Sequence, residues 1–192
     1  ERLVDLGQAL LRMDRVKEAE AQFDAAIDVD QSFRPAKLGK GQCRLTEGHV
    51  NDALALLRDV AGELELASMF NTAAVLNMRQ GRHDAGMNLY QSALKALGKN
   101  EKLQARLQFN MGMGYRRWHK KDKALQCFER SMQLDPKFVK AKEQVAIVNA
   151  PPAAKTKAAN PSVIAEAPAP VKPVGEFSML VDLTAESAPV FD

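Results

Sequence analysis

Small residues return at near-constant spacing along the first two thirds of the chain, and no other feature limits the fold as much. Gly7, Gly41, Ala74 and Gly112 are separated by 34, 33 and 38 residues. Twelve positions after each comes a second small residue: Ala19, Ala53, Gly86 and Ala124. Four further on stands a large apolar one, Phe23, Leu57, Tyr90 or Phe128, and three beyond that Ala26, Val60, Ala93 or Ser131. The physical sense of these columns is a stack of helix pairs. Two antiparallel helices about 10 Å apart need small residues where their backbones cross, and one ring or leucine to plug the gap to the next pair.

A period near 34 with this order of residues resembles the tetratricopeptide-repeat family, whose unit is a helix-turn-helix. The fourth unit carries the resemblance furthest, with Met111-Gly112-Met113-Gly114-Tyr115, then Ala124, Phe128 and the closing Leu134-Asp135-Pro136. The resemblance covers about residues 1–136 and implies an all-α solenoid. Its expected units are 1–33, 34–66, 67–100 and 101–136, followed by a capping helix over 137–149. Helix pairs are predicted at 2–13 with 16–29, 34–46 with 50–62, 67–80 with 83–97 and 101–118 with 121–134, with turns at Gly48 and Gly81. A ninth helix from Phe138 to about Val148, amphipathic through Phe138, Ala141, Val145 and Ile147, would cover the last apolar edge, as a solenoid requires. The second unit departs from the family pattern, with Lys37, Lys40 and Arg44 where apolar residues are usual. Asn77 stands where the family prefers Tyr, and extra residues around Gly98–Glu101 lengthen one connection.

From Ala150 the composition changes. Pro151-Pro152 stops the helix, and Pro161, Pro168, Pro170 and Pro173 among many alanines predict an extended, mostly irregular tail over 150–192. Inside it lies an apolar–acidic segment, 176–183, in which Phe177, Met179, Leu180, Val181 and Leu183 crowd into seven residues. The alternation of Phe177, Met179, Val181 and Leu183 predicts a strand or extended peptide, and such a cluster is expected to dock somewhere. The tail holds three lysines against five carboxylates, net −2, whereas residues 1–149 hold 24 basic against 19 acidic side chains, net +5. A balance of +5 is too weak to imply nucleic acid as a partner.

No stretch approaches the roughly 20 consecutive apolar residues of a bilayer-spanning helix, so no membrane partner is expected. Two cysteines, Cys43 and Cys127, 84 residues apart in helical patterns, do not make a disulfide scaffold, and a reducing cytoplasm is the simpler setting. The chain starts without methionine and already in helical register, which reads as a piece of something longer.

Catalysis needs a constellation, and none is visible, so the chain is read as no enzyme, with no cofactor and no metal. His49, His83 and His119 fall one per unit in the turns, at an expected spacing of roughly 10 Å, too far apart to share a zinc. The cysteines have no CxxC spacing and no adjacent base, which favours packing over nucleophilic chemistry. Gly39-Lys40-Gly41 lacks the spacing of a phosphate-binding loop and is better read as a helix with close neighbours.

The resemblance further implies that the first helix of each pair lines a concave face. Carried over by register, that face holds Val4, Gln8, Leu11 and Arg12 from the first unit, and Leu38, Gln42 and Leu45 from the second. Asn71, Val75, Met78 and Arg79 follow from the third, then Arg106, Phe109, Met113, Arg116 and Arg117, and Lys140 from the cap. This mixture of apolar and cationic side chains suits an acidic, amphipathic protein segment or peptide. Chaperone-binding members of the family hold a terminal carboxylate with a Lys and an Asn where this chain has Val4 and Gln8, so heat-shock chaperone tails are not expected partners. The run Arg116–Lys123 around Trp118 reads either as cations complementing a helix C-terminus or as an anion or acidic-peptide site with Trp118 as a platform.

A second resemblance rests on Phe70-Asn71-Thr72-Ala73-Ala74 with Gly81-Arg82, and on Phe109–Gly112 through Tyr115–Trp118. These look like the repeats of bacterial response regulators in which a receiver domain precedes such units. The expected function is a protein-interaction scaffold that binds a peptide or partner surface in its groove. The alternatives are a regulatory output module controlled by its own tail or by an upstream domain, and a substrate-positioning subunit of an enzyme. Self-association through the tail is a further expectation.

Overall fold

The computed structural model describes residues 1–150, and among them every regular element is an α-helix. In chain order these are α1 (Arg2–Arg12), α2 (Val16–Val29), α3 (Arg34–Glu47), α4 (Val50–Leu57), α5 (Glu63–Arg79), α6 (His83–Ala96), α7 (Glu101–Arg117), α8 (Lys121–Leu134) and α9 (Val139–Asn149). The helices pair as hairpins α1–α2, α3–α4, α5–α6 and α7–α8, and α1, α3, α5 and α7 also pack one against the next in a continuous layer. The architecture is an all-α solenoid. The expected docking residues Phe177, Met179, Leu180, Val181 and Leu183 lie outside the described residues.

The turn inside each hairpin uses one device. Asp14, Gly48, Gly81 and His119 all stand seven positions after the small residue of the first helix, and all have positive φ, at 62°, 87°, 76° and 57°. The amide of the following residue then donates back to a carbonyl five positions earlier: Arg15 to Leu10, His49 to Arg44, Arg82 to Asn77 and Lys120 to Tyr115, at 2.8–2.9 Å. A left-handed residue followed by this six-to-one bond closes the orphan carbonyls at a helix C-terminus. Glycine reaches that backbone without strain, whereas Asp and His tolerate it at a cost.

The columns read from the sequence are the core. Phe23 is fully buried, and its ring fills the space left by two glycines: a Cβ on Gly7 would lie 2.7 Å from it, and one on Gly39, in the next unit, closer still. Leu57 fills the notch at Gly41 and Phe128 the one at Gly112, each 2.6 Å from where a Cβ would stand. Gly39 and Gly41 thus serve helix packing, as expected.

Two helix boundaries differ from expectation by four residues or more, and one stripe residue differs in burial. The second helix of unit two is only eight residues long, ending at Leu57 rather than 62, so Val60 falls in the connection and is half-buried. The first helix of unit three begins at Glu63, not 67, with Gly62 in extended conformation at its N-cap and Glu63 and Glu65 in the first turn, where carboxylates complement the helix dipole. Arg34 fastens this connection by donating to the Val60 carbonyl at 2.9 Å and pairing with Glu65. At α9 the packed stripe runs through its N-cap Phe138 and through Ala141, Val145 and Val148, and Ile147 is exposed, because only the former residues face the last hairpin.

The departures of unit two have a local explanation. Lys40 pairs with Asp24 at 2.6 Å and Arg44 with Glu20 at 2.8 Å, so cations on α3 answer carboxylates one turn apart on α2 across the seam between units. The core divides at the same place. One cluster joins α1, α2 and the Ala36 and Cys43 side of α3; the other runs from Leu45 to Ala141.

Candidate functional site

The layer formed by α1, α3, α5 and α7, with α9 at its end, is the candidate site, and its residues divide by burial. Gln8, Arg12, Arg79 and Lys140 are exposed, while Leu11, Leu38, Asn71, Arg106, Arg116 and Arg117 are half-buried. Val4, Leu45, Val75, Met78, Phe109 and Met113 are buried in the core clusters, and Gln42 is buried beside them. The expectation that these apolar side chains offer surface to a partner is therefore corrected. They belong to the apolar core of the stack. Phe109, for example, is enclosed by Phe128 of α8 at 5.6 Å and, edge to face, by Phe138 at the N-cap of α9 at 5.2 Å.

Side-chain amides stitch this layer from unit to unit. Gln42 Nε2 donates to the Met69 carbonyl at 3.1 Å, joining α3 to α5. Asn77 Nδ2 donates back to the Thr46 carbonyl at 2.9 Å and to Ala73, and its Oδ1 accepts from Arg82 Nε at 2.8 Å. A buried amide with both ends satisfied is thus what replaces the expected tyrosine. Further along, Asn71 Oδ1 accepts from the Tyr90 hydroxyl at 2.8 Å and from Asn110 Nδ2 at 2.9 Å, joining α5, α6 and α7. Sequence reasoning assigned Asn71 to the face but missed its two donors. They lie 19 and 39 residues away, on helices whose pairing only the fold sets.

The basic run does not form one patch. Arg116 Nη1 donates to Gln144 of α9 on the first-helix side. Trp118 is half-buried, with His83 stacked on it at 5.0 Å and Lys120 Nζ 5.4 Å from its ring, while Lys123 Nζ lies 5.5 Å from the Tyr115 ring. Trp118 as an open platform is accordingly corrected: its ring seals the seam between the third and fourth hairpins. His83 opens α6, His49 precedes α4 and His119 sits in the last turn.

On the turn edge, away from the first-helix face, a cavity of about 630 Å³ opens where three hairpin turns converge, and Lys17, His49, Asn77, Arg82 and Asn88 are among its lining residues. Gln80 donates to Asp14 across it, linking the first and third turns. The thiols are both buried: Cys43 is pushed up to about 12, first by burial and then by Glu20, Glu47 and Asp24, and Cys127 to about 11 by burial. Burial likewise raises the Tyr90 phenol far above its usual range. Among the described residues, no three His, Cys, Asp or Glu side chains converge as metal ligands, and no helix is long and apolar enough to cross a membrane.

Family models described as tetratricopeptide repeat match residues 1–33 and residues 65–137, together more than half of the 192-residue chain. The chain belongs to the tetratricopeptide-repeat family. The stretch between the two matches contains the cationic α3 and the short α4, the departures described above. No curated protein sequence matches this tetratricopeptide-repeat chain. Among solved structures it is similar to MamA, at 19% identity over 76% of this chain and 78% of that one, TM-score 0.43. It is also similar to YrrB, described as a TPR protein with an unusual peptide-binding site, at 17% identity over 76% and 74% of the two chains, TM-score 0.41. A third is the APC/C hetero-tetramer Cut9-Hcn1, at 19% identity, with 76% of this chain matching 35% of that one, TM-score 0.38.

Proposed function

We propose that this tetratricopeptide-repeat chain is a protein-interaction scaffold of a cytoplasmic assembly, whose first-helix face receives an acidic, amphipathic segment of a partner protein. The observation that carries the reading is one of charge. The residues that register assigns to that face include Arg12, Arg79, Arg106, Arg116, Arg117 and Lys140 and no carboxylate. Five of the six lie on α5, α7 and α9, the half of the layer where Arg116 and Gln144 join two elements. Cations on such a surface steer an acidic ligand and fix its register, while the half-buried Leu11 and Leu38 of α1 and α3 offer apolar contact further along the same face.

The test is a titration of the full chain with fluorescein-labelled acidic amphipathic peptides at low salt. Saturable binding that weakens at least tenfold in the Arg106→Glu/Arg117→Glu variant, and falls with added salt, is expected. Binding that ignores both the variant and the salt, or no saturation at all, defeats the reading. A second reading, a regulatory module of a signalling protein governed by its own tail, is favoured by the apolar–acidic composition of residues 176–183.

A further inference from the structure

We infer that the cationic half of the first-helix face is covered in the resting protein by the chain's own segment 176–183, which an external acidic partner must displace. The inference rests on the reading of that face as a peptide site and names its occupant.

Charge complementarity is the first support. From Gly175 onward the sequence holds Glu176, Asp182, Glu186 and Asp192 and no lysine or arginine, whereas α5, α7 and α9 present Arg79, Arg106, Arg116 and Lys140. Tether geometry is the second. Gln144 of α9 is hydrogen-bonded to Arg116 of α7, so the chain leaves its last described helix beside the cationic end of the layer, six residues before Ala150. Between Ala150 and Phe177 lie 26 residues, which reach at most about 90 Å when extended, and neighbouring helices are only about 10 Å apart. A tethered segment within such reach competes at an effective concentration near the millimolar range. Composition is the third: Phe177, Met179, Leu180, Val181 and Leu183 give the segment the apolar side of an amphipathic ligand, and its carboxylates give the acidic side. The ligand class that fits the face is already present in the chain.

Hydrogen exchange of the full chain, read by mass spectrometry against the free 174–192 peptide, is the primary test. Amides of 176–183 are expected to exchange at least tenfold more slowly in the chain than in the peptide, at every protein concentration. The slowing should disappear in Arg106→Glu/Arg117→Glu and in Arg79→Glu/Lys140→Glu, the second pair being solvent-exposed positions whose variants are first checked for an unchanged melting temperature. Equal exchange in chain and peptide overturns the inference. Protection that grows with concentration also overturns it, in favour of docking onto a second copy.

A labelled acidic peptide supplies the second arm. It should bind the full-length Phe177→Ala/Leu180→Ala variant at least fivefold more tightly than the parent chain. Equal affinity refutes the tail as occupant while leaving the peptide-site reading intact. Protection of 176–183 without binding of any external peptide to either protein has the opposite meaning: the tail docks, and the external-partner reading fails.

Discussion

Replacing Gly39 by alanine would place a methyl group where the Phe23 ring lies, and Gly7 blocks retreat on the other side. Alanine improves helix propensity by about 1 kcal/mol, but overpacking a closed site costs roughly 1–3 kcal/mol, so a net loss of stability in denaturant titrations is expected. Adding Phe23→Leu should return part of it, since the smaller side chain vacates the space. At His119, which holds φ 57° at the turn position where units two and three use glycine, His119→Gly should raise stability by up to about 1 kcal/mol. A lower melting temperature would show that the His119 side chain does more than tolerate its backbone. The thiols give a pH prediction. Cys43 and Cys127 ionise only with difficulty when folded, so their contribution is intact below pH 9 and is lost as pH rises from about 9 toward the folded values of about 12 and about 11. Stability measured between pH 8 and 10.5 should decline, less steeply in Cys43→Ala than in the parent.

Helix ends in this chain are completed by neighbouring units as much as by their own residues. α3 ends at a left-handed Gly48, yet its Thr46 carbonyl is also taken by Asn77 from the next first helix, and the same amide accepts from Arg82. Asn77→Leu removes two donated bonds and one accepted bond from a buried position and leaves polar groups without them, which costs roughly 1–3 kcal/mol apiece for each group that cannot reach water. Asn77→Leu should therefore be more destabilising than Lys40→Ala, whose partly exposed pair with Asp24 is worth about 0–1 kcal/mol. Equal melting temperatures for the two would mean that the amide bridge carries no stability between units.

Over the whole molecule the two core clusters meet at α3. A solenoid is held by neighbour contacts, so a break in the core is a place where part of the stack can open alone. Native-state hydrogen exchange should show α1 and α2 opening at lower free energy than α5 to α8, with α3 intermediate. One common opening energy from α1 to α8 would refute this division.

The sequence by itself determined the period, the column residues and hence the helix hairpins, because small and large side chains must alternate at fixed places wherever one helix crosses another. It also marked the cationic bias of the first helices, since register alone assigns Arg79, Arg106 and Arg116 to them. The left-handed turn column was legible only at Gly48 and Gly81. Asp14 and His119 adopt the same backbone without announcing it in their residue type. Tertiary structure alone decided that α4 stops at Leu57, that α5 starts at Glu63, and that Phe109, Met113 and Met78 turn into the core and leave charge and amide groups on the face. The reason is physical: periodicity fixes which way a side chain leaves its own helix, but whether that direction meets water or another helix depends on how far the next unit is rotated. That rotation is set by contacts such as Gln42 to Met69 and Asn71 to Asn110, which span 27 and 39 residues.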